Sequence, residues 1–185
     1  MSELKDKELE AAKHRRGVSE LTRIVRCTES LFKESGAVFS KCQKYRYKLW
    51  RIWNRNKPNI LFIMLNPSTA DAENNDPTIR RCIGYAKEWG YGGLYVGNLY
   101  AYRATKPEDL FSAEQPEGEA NRRCIAEMTD KCELVICAWG NGEGKPPKWL
   151  KGISELHYLK QNKDGTPSHP LYLRKKLKPV GYKYT

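Results

Sequence analysis

An apolar run that ends in a short polar segment constrains the fold of this chain more than any other feature. Residues 61–65 are Leu-Phe-Ile-Met-Leu, and residues 66–71 are Asn-Pro-Ser-Thr-Ala-Asp. A run that is apolar at every position is typical of a strand buried on both faces of a sheet. Open α/β sheets bind their ligands outside the carboxyl ends of such strands. The sequence therefore predicts a central strand at residues 59–65, followed by a loop that contributes to a binding site.

A helix is predicted to follow this loop. Asp76 suits the N-cap, Pro77 suits the first helical position, and Gly90 suits the C-terminal end. Apolar residues recur between them at the spacing of one helical face, which predicts that the helix packs on the sheet. These residues are Ile79, Cys82, Ile83, Ala86 and Trp89.

Strands and helices alternate along the rest of the chain. This alternation favours right-handed crossovers and a parallel sheet with helices on both faces. We therefore expect a three-layer α/β/α sandwich with a mainly parallel four-stranded sheet. The further strands are predicted at residues 94–99, 133–139 and 155–160, and the further helices at residues 107–110, 119–130 and 146–151.

The N-terminal third is predicted to add one helix and one antiparallel strand. Ser19 suits an N-cap, and apolar residues follow it at helical spacing, which predicts a helix over residues 19–36. Residues 44–53 alternate as a strand does, and the turn at residues 54–58 is expected to pair this strand antiparallel with the central strand. The predicted organisation is a basic N-terminal arm and helix over residues 1–36 and a single α/β domain over residues 37–185.

Positive charge is concentrated in the same N-terminal third. The chain has a formal net charge of +11, and residues 1–60 carry 15 Lys or Arg against 7 Asp or Glu. In residues 44–53 the basic side chains alternate with aromatic ones, a combination found on nucleic-acid binding surfaces. The sequence therefore predicts DNA as a partner, with a solvated, solubilising surface as the alternative. The residues predicted to contact the nucleic-acid backbone are Arg46, Lys48, Arg80, Arg81, Arg174, Lys175 and Lys176.

The composition argues against several classes of protein. No apolar run approaches the about 18 residues of a transmembrane helix, and residues 1–16 are charged where a signal peptide needs an apolar core. The six cysteines include no Cys-x-x-Cys pair. We therefore expect a cytoplasmic protein with reduced cysteines and with no membrane association, metal or cofactor. The sequence leaves the oligomeric state open.

Polar side chains follow the predicted parallel strands and form the candidate site. Because the carboxyl ends of parallel strands share one edge of a sheet, we expect these side chains to lie together. The candidate catalytic residues are Asn66, Asp71 and His169. The candidate substrate-binding residues are Pro67, Ser68, Thr69, Asp76, Asn98, Tyr100, Tyr102 and Arg103.

Each candidate also has a structural interpretation. Asn66 precedes a proline and can belong to a simple turn, and Asp76 is more often a helix cap than a catalyst. Asn98 can tie two loops together, and His169 can hydrogen-bond a loop carbonyl. For Asp71 a catalytic and a structural role both remain open.

Several short motifs in a fixed order resemble a bacterial and phage family known as domain of unknown function 1643. The resemblance covers roughly residues 37–178 and names no reaction. The motifs are Tyr45-Arg46-Tyr47, residues 65–71, residues 76–82, residues 89–92 and residues 98–105.

A more distant resemblance is to the uracil-DNA glycosylase superfamily. A first motif of the type Gly-x-Asn-Pro-Gly is similar to Leu65-Asn66-Pro67-Ser68, with Leu65 and Ser68 in place of the glycines. The base-reading Asn of that superfamily resembles Asn98, and its last motif, His-Pro-Ser or a relative, resembles Ser168-His169-Pro170. The resemblance implies a four-stranded parallel sheet between helices and a site for an extruded base.

The residues and the resemblance together predict an enzyme of nucleic-acid bases. Breaking a base–deoxyribose bond develops oxocarbenium character on the sugar and negative charge on the departing base. Asn66 is expected to hold a water, Asp71 to act as a base or stabilise the cation, and His169 to donate to a base carbonyl. The expected function is a DNA glycosylase-like hydrolase that flips a base, natural or modified, into a pocket at the carboxyl ends of the strands. The alternatives are a non-catalytic nucleic-acid or nucleotide-binding protein and an enzyme of free nucleotides.

Overall fold

The computed structural model describes residues 21–26, 32–141 and 146–182. Within these residues, eight strands form one mixed sheet, and helices pack on both of its faces. The strands are β1 (Leu21–Arg26), β2 (Glu34–Ser40), β3 (Arg46–Ile52), β4 (Asn59–Met64), β5 (Gly93–Asn98), β6 (Leu134–Cys137), β7 (Leu156–Tyr158) and β8 (Val180–Gly181). The helices are α1 (Pro77–Glu88), α2 (Pro107–Phe111), α3 (Asn121–Thr129) and α4 (Lys148–Lys151), and Pro170–Tyr172 form a 3₁₀ helix.

Four parallel strands lie at the centre of the sheet. The strand order is β1-β2-β3-β5-β4-β6-β7-β8, and β5, β4, β6 and β7 run parallel to one another. The strands β1, β2 and β3 extend the sheet beyond β5 in antiparallel pairs, and β8 pairs antiparallel with β7. The predicted mainly parallel sheet of four strands is therefore wrong for the sheet as a whole, which is mixed. The segments predicted as parallel strands form its centre.

The central strand β4 is buried on both faces, as its continuous apolar sequence predicts. Ile60 and Phe62 lie in a core cluster with residues of α1, whereas Leu61 and Ile63 lie in a second cluster with residues of α3. Successive side chains of a strand point to opposite faces, so β4 contributes to both layers. Full burial of one such side chain is worth about 2 kcal/mol, which makes β4 a major source of stability.

Helix α1 begins and ends as predicted. Asp76 is the N-cap, and its Oδ1 accepts a hydrogen bond of 2.8 Å from the backbone N–H of Ile79. Gly90 follows the helix with a φ of +86°, a left-handed conformation that glycine adopts at little cost. These two ends fix the position of α1, whose first turn faces the carboxyl edge of the sheet.

The predicted helix over residues 19–36 is wrong. Residues 21–26 form β1, which pairs antiparallel with β2, and Gly36 lies inside β2 opposite Val25. The β-branched residues Thr22, Ile24 and Val25 favour an extended backbone, and the apolar spacing that suggested a helix is too short to exclude a strand. The predicted domain boundary after residue 36 falls inside β2. The predicted arm at residues 1–16 lies outside the described residues.

The predicted pairing of β3 with β4 is also wrong. β3 pairs with β2 on one side and with β5 on the other. The turn at residues 54–58 connects β3 to β4, but the chain returns through α1 to place β5 between them. A short turn predicts adjacency only when no later strand inserts into the gap.

The segment of residues 173–177 lies along the outer side of α1. The Arg81 guanidinium donates to the carbonyl of Leu173, the Tyr85 hydroxyl donates to the carbonyl of Arg174 at 2.5 Å, and Trp89 Nε1 donates to the carbonyl of Leu177 at 2.9 Å. The three donors are spaced by four residues and therefore lie on one side of the helix. They hold the basic C-terminal segment beside α1.

Candidate functional site

The loops that follow β4 and β5 are joined at the carboxyl edge of the sheet. Asn66 Nδ2 donates to the carbonyl of Ala104 at 2.7 Å and to the carbonyl of Pro67 at 3.2 Å. The Ala104 N–H donates to the Pro67 carbonyl at 3.1 Å. Because both acceptors are bound by Nδ2, the amide orientation is fixed and Oδ1 points elsewhere. Among the described residues, Asn66 Oδ1 accepts no hydrogen bond.

Two buried arginines support the loop of residues 70–75 from beneath. Arg46 is 3% exposed, and its guanidinium donates to the Ala70 carbonyl at 2.6 Å and, in a long contact of 3.5 Å, to Asn98 Oδ1. Burial lowers the pKa of Arg46 to about 10, although the charges of Asp76 and Asp71 act in the opposite direction. The expectation that Arg46 meets a nucleic-acid backbone on the surface is therefore wrong, because its side chain lies under the loop.

Arg51 is the second of these arginines and is fully buried. Its guanidinium donates to Asn75 Oδ1 at 2.9 Å, to the Asp71 carbonyl at 2.6 Å and to the Asn74 carbonyl at 3.2 Å. Burial lowers the pKa of Arg51, and the charge of Asp71 opposes this shift. Three acceptors in one segment make Arg51 the main support of the loop that leads into α1.

The Asp71 carboxylate is occupied by a local turn. Its Oδ1 accepts hydrogen bonds from the backbone N–H of Glu73 at 2.8 Å and of Asn74 at 2.7 Å. Partial burial acts to raise the pKa of Asp71, but the N–H donors of Asn74 and Glu73 outweigh it and hold the pKa below its ordinary value. The carboxylate is therefore well suited to stay ionised and to stabilise positive charge, and it is a weak proton acceptor.

Asn98 lies at the end of β5 and is only 2% exposed. Its side-chain oxygen faces Arg46, and its backbone carbonyl accepts a hydrogen bond of 2.9 Å from Asn121 Nδ2. Asn121, the first residue of α3, is itself fully buried and also donates to the Leu99 carbonyl at 2.9 Å. This arrangement favours the interpretation of Asn98 as a tie between loops. A base that donates to Asn98 Oδ1 would compete with Arg46 for this oxygen.

His169 lies at the carboxyl edge beside the loop that follows β6. A Cβ placed on Gly140 would lie 3.3 Å from His169 Cβ, so the small residue allows the two loops to approach. Burial lowers the pKa of His169, and the charge of Asp76 opposes the shift. His169 Nδ1 accepts a long hydrogen bond of 3.4 Å from the Leu171 N–H. A neutral imidazole that accepts at Nδ1 carries its proton on Nε2, which is then a donor.

A cavity of about 450 Å³ opens between the turn before β3 and the loops after β4 and β5. We call it the rim cavity. Four of the predicted substrate-binding residues line it, and Asn66 holds its wall through the Ala104 carbonyl. The lining includes Lys44, Ser68, Thr69, Tyr102, Arg103 and Asp109. His169, Asp71 and Asp76 are not among the lining residues, so the predicted site residues divide between this cavity and the start of α1.

A second cavity, of about 550 Å³, lies between α1 and the C-terminal segment. We call it the helix cavity. Arg80, Arg81 and Lys175 line it, and Glu88 contributes one opposite charge. Arg80 and Lys175 are exposed, whereas Arg81 is partly buried. The structure thus brings together basic residues that are almost 100 positions apart and that the sequence assigned to backbone contacts.

The remaining predicted residues have local roles. Tyr102 packs edge to face on Tyr45 at 5.6 Å, and Tyr100 donates its backbone N–H to the Leu65 carbonyl at 2.9 Å. Lys48 forms an ion pair with Glu127 of α3, so its charge is already matched. Exposed Arg174 and Lys176 flank Lys175.

Sequence reasoning missed Arg51, Asn121 and Lys44. An arginine within the otherwise apolar or aromatic segment Leu49-Trp50-Arg51-Ile52 is a signal of a buried charge with partners. No local pattern marks Asn121, because its acceptors belong to a strand more than 20 residues earlier. Lys44 belongs to the basic and aromatic segment of residues 44–53, but its position at the rim cavity depends on the fold.

The described residues contain no cluster of three or more His, Cys, Asp or Glu side chains arranged to hold a metal ion. None of the helices in the same ranges has the length and apolar character that crossing a bilayer requires.

The fold and the site define an α/β protein with a polar site at the carboxyl edge of a parallel strand group. The model of the family described as "Protein of unknown function (DUF1643)" matches residues 46–171. This match covers more than half of the chain, and the chain belongs to this family. The search of curated proteins found no match. The search of solved structures found none either.

Proposed function

We propose that this protein is a DNA glycosylase-like hydrolase that cleaves the N-glycosidic bond of a base, natural or modified, in DNA. The observation that carries the proposal is the geometry of Asn66 at the end of the central strand. Both contacts of its amide nitrogen fix the side chain, and its Oδ1 is left to accept a hydrogen bond from water. This is the position that the resemblance to the uracil-DNA glycosylase superfamily assigns to the first motif.

The proposed reaction requires a placed water and a stabilised leaving group. Water adds to C1′ of the deoxyribose as the bond to the base nitrogen breaks, and the base departs with the electron pair. The proton that the added water loses passes through solvent to the departed base, so the products are the neutral base and an abasic deoxyribose. An amide oxygen is a feeble base, so Asn66 contributes by orienting the water while the sugar acquires oxocarbenium character. The ionised Asp71 carboxylate adds favourable charge at the same loop.

His169 supports the departure of the base. Its imidazole is kept neutral by burial, and the acceptor role of Nδ1 leaves Nε2–H as a donor. A neutral donor can hydrogen-bond a base carbonyl that becomes more negative as the bond breaks, which favours the transition state over the ground state. This role does not require His169 to release its proton.

The first test is a search for base release. The purified protein is incubated with single-stranded and duplex oligonucleotides that carry different natural and modified bases, and alkali then cleaves the strand at abasic sites. We expect strand cleavage with at least one base. The variant Asn66→Ala should reduce the rate at least 100-fold, whereas Asn56→Ala, on an exposed turn, should leave it unchanged. Binding without base release from any oligonucleotide would refute the proposed hydrolysis.

A second candidate function is non-catalytic binding of nucleic acid or nucleotides. It is favoured by the engagement of Asp71 in a turn and of Asn98 with Arg46, since both side chains already have protein partners. In that case oligonucleotides should bind with an affinity that falls steeply with salt, and the Asn66→Ala variant should change binding without any product to measure.

A further inference from the structure

The rim cavity has the size and the walls of a small-molecule site. Its volume of about 450 Å³ lies within the range of roughly 300–1,000 Å³ found for ligand pockets. Three separate segments build it, namely the turn before β3, the loop after β4 and the stretch from β5 into α2. Arg103 joins two of these walls, because its backbone N–H donates to the Lys44 carbonyl at 2.9 Å and its Nη1 donates to the Gln43 carbonyl at 3.2 Å.

Two positive charges of the cavity are the side chains of Lys44 and Arg103. Neither Lys44 nor Arg103 forms an ion pair with a carboxylate among the described residues. The Arg103 guanidinium lies over the Phe39 ring at 5.2 Å, and its buried Nε has no hydrogen-bond partner in residues 21–26, 32–141 and 146–182. A partly desolvated cation costs free energy that a bound anion would offset. The cavity therefore favours a ligand with a negative group near Arg103 and Lys44.

The other lining groups indicate what else the ligand carries. The hydroxyls of Ser68 and Thr69 are exposed in the cavity and can donate to phosphate oxygens, as such side chains do at nucleic-acid backbones. The exposed Asp109 carboxylate repels an anion but accepts hydrogen bonds from sugar hydroxyls. One carboxylate against two cations suits a single phosphate attached to a sugar better than a run of several phosphates.

We propose that the rim cavity binds one nucleoside monophosphate unit, with its phosphate between Lys44 and Arg103 and a sugar hydroxyl at Asp109. The inference rests on the proposed function in that it takes a nucleotide as the ligand. It adds the position of the phosphate, in a cavity whose wall at Ala104 is held by Asn66. The nucleotide is either free or the 3′-terminal unit of a DNA strand, because both forms present a phosphate together with a free 3′-hydroxyl.

Calorimetric titration of the full chain tests the proposal with four probes: deoxyadenosine 5′-monophosphate, deoxyadenosine, inorganic phosphate and a five-nucleotide single strand. If the nucleotide is free, the monophosphate should bind at least tenfold more tightly than deoxyadenosine. If it belongs to a strand, the five-nucleotide probe should bind and the monophosphate should not. Equal binding of monophosphate and deoxyadenosine, or binding of none of the probes, would overturn the proposal.

Variants locate the site. Lys44→Gln should lower the affinity for the probe that binds about tenfold, as expected for loss of one charge-assisted contact. Lys41→Gln, on the same exposed turn but outside the cavity lining, should leave this affinity unchanged. Asp109→Ala should lower the affinity for the nucleotide relative to that for inorganic phosphate, because the acceptor of the sugar hydroxyl is lost while the removal of the negative charge favours both anions. Equal affinities of the Lys44→Gln and Lys41→Gln variants would place binding elsewhere and contradict the proposal.

The two proposals fail in different ways. In one case the wild-type protein releases no base, and the Lys44→Gln variant loses the nucleotide binding that the wild-type protein shows. The hydrolase proposal then fails and the phosphate site stands. If base release in Lys44→Gln keeps the wild-type rate and KM, the phosphate site fails and the hydrolase proposal stands.

Discussion

Single residues at the carboxyl edge divide into those that support the loops and those that remain available to a ligand. Arg46 and Arg51 are buried and donate to loop carbonyls, so their charge stabilises the backbone conformation. Asn66 combines both roles, since its nitrogen joins two loops while its oxygen accepts no hydrogen bond from the described part of the chain. The distinction predicts that substitutions at the arginines change stability and that substitution at Asn66 changes both stability and the proposed base release.

Replacement of Arg51 tests the support of the loop. Arg51→Gln removes donors to the Asp71 and Asn74 carbonyls at a fully buried position. Hydrogen bonds to a charged group are worth about 1.5–3 kcal/mol each, so we expect a loss of about 3 kcal/mol or more in the free energy of unfolding, measured in urea. As a control, Arg55→Gln removes an exposed ion pair with Glu34 and should cost at most about 1 kcal/mol. A similar cost for both variants would show that Arg51 does not support the loop.

His169 makes stability depend on pH. Burial lowers its pKa below the ordinary value of 6.5. Between the pKa of the folded state and pH 6.5, the native state therefore binds fewer protons than the unfolded state. The contribution of His169 to stability is therefore complete above pH 6.5 and is lost as pH falls through the pKa of the folded state. The free energy of unfolding, measured in urea between pH 5 and pH 8, should rise with pH, and His169→Gln should reduce this slope. An unchanged slope in the variant would place the titrating group elsewhere.

At the scale of elements, α1 connects the candidate site to the sheet and to the C-terminal segment. Its first turn is capped by Asp76, its inner face packs on β4, and its outer side holds residues 173–177. Fraying of the first turn would therefore disturb the loop of residues 70–75 and the surroundings of His169 together.

Two substitutions at Asp76 separate its cap from its charge. Asp76→Ala removes the acceptor of the Ile79 N–H and should destabilise the protein by about 1 kcal/mol, whereas Asp76→Asn keeps a good cap and should cost much less. Both variants remove the charge that acts against the lowering of the His169 pKa. NMR titration should therefore show a lower His169 pKa in both. A pKa that falls only in Asp76→Ala would indicate a structural cause.

At the scale of the whole molecule, net charge is the property that would govern the proposed association with DNA. The chain has a net charge of +11, and the helix cavity gathers Arg80, Arg81 and Lys175 on one surface. Each phosphate contact made by such a surface releases condensed counterions from DNA, which makes the affinity depend on salt. This property is testable without knowledge of the base.

The logarithm of the DNA association constant should fall linearly with the logarithm of the salt concentration. If Lys175 contacts one phosphate, Lys175→Gln should make the slope shallower by about 0.9 for duplex DNA, measured by fluorescence anisotropy. Lys57→Gln serves as the control, because Lys57 is exposed on the turn before β4 and does not line the helix cavity. The same change of slope in both variants would mean that charge is sensed over the whole surface and not at the helix cavity.

The sequence by itself determined the features that depend on neighbours within a few residues. The run at residues 61–65 identified β4 as a strand buried on both faces, and the signals at Asp76, Pro77 and Gly90 located α1, because caps and periodicity act within one or two turns. The short motifs were also sufficient for the family. The order of the strands also predicted that Asn66 and His169 lie at the same edge of the sheet, since the carboxyl ends of parallel strands share one edge.

Only the tertiary structure decided which distant segments meet. The insertion of β5 between β3 and β4, the burial of Arg46 beneath the loop of residues 70–75 and the placement of Lys44 at the rim cavity all depend on contacts between segments far apart in sequence. An exposed and a buried arginine look alike in a sequence that alternates basic and aromatic residues. Burial and pairing are properties of the packed sheet, so the division between supporting and ligand-accessible side chains arose only when the strands were assembled.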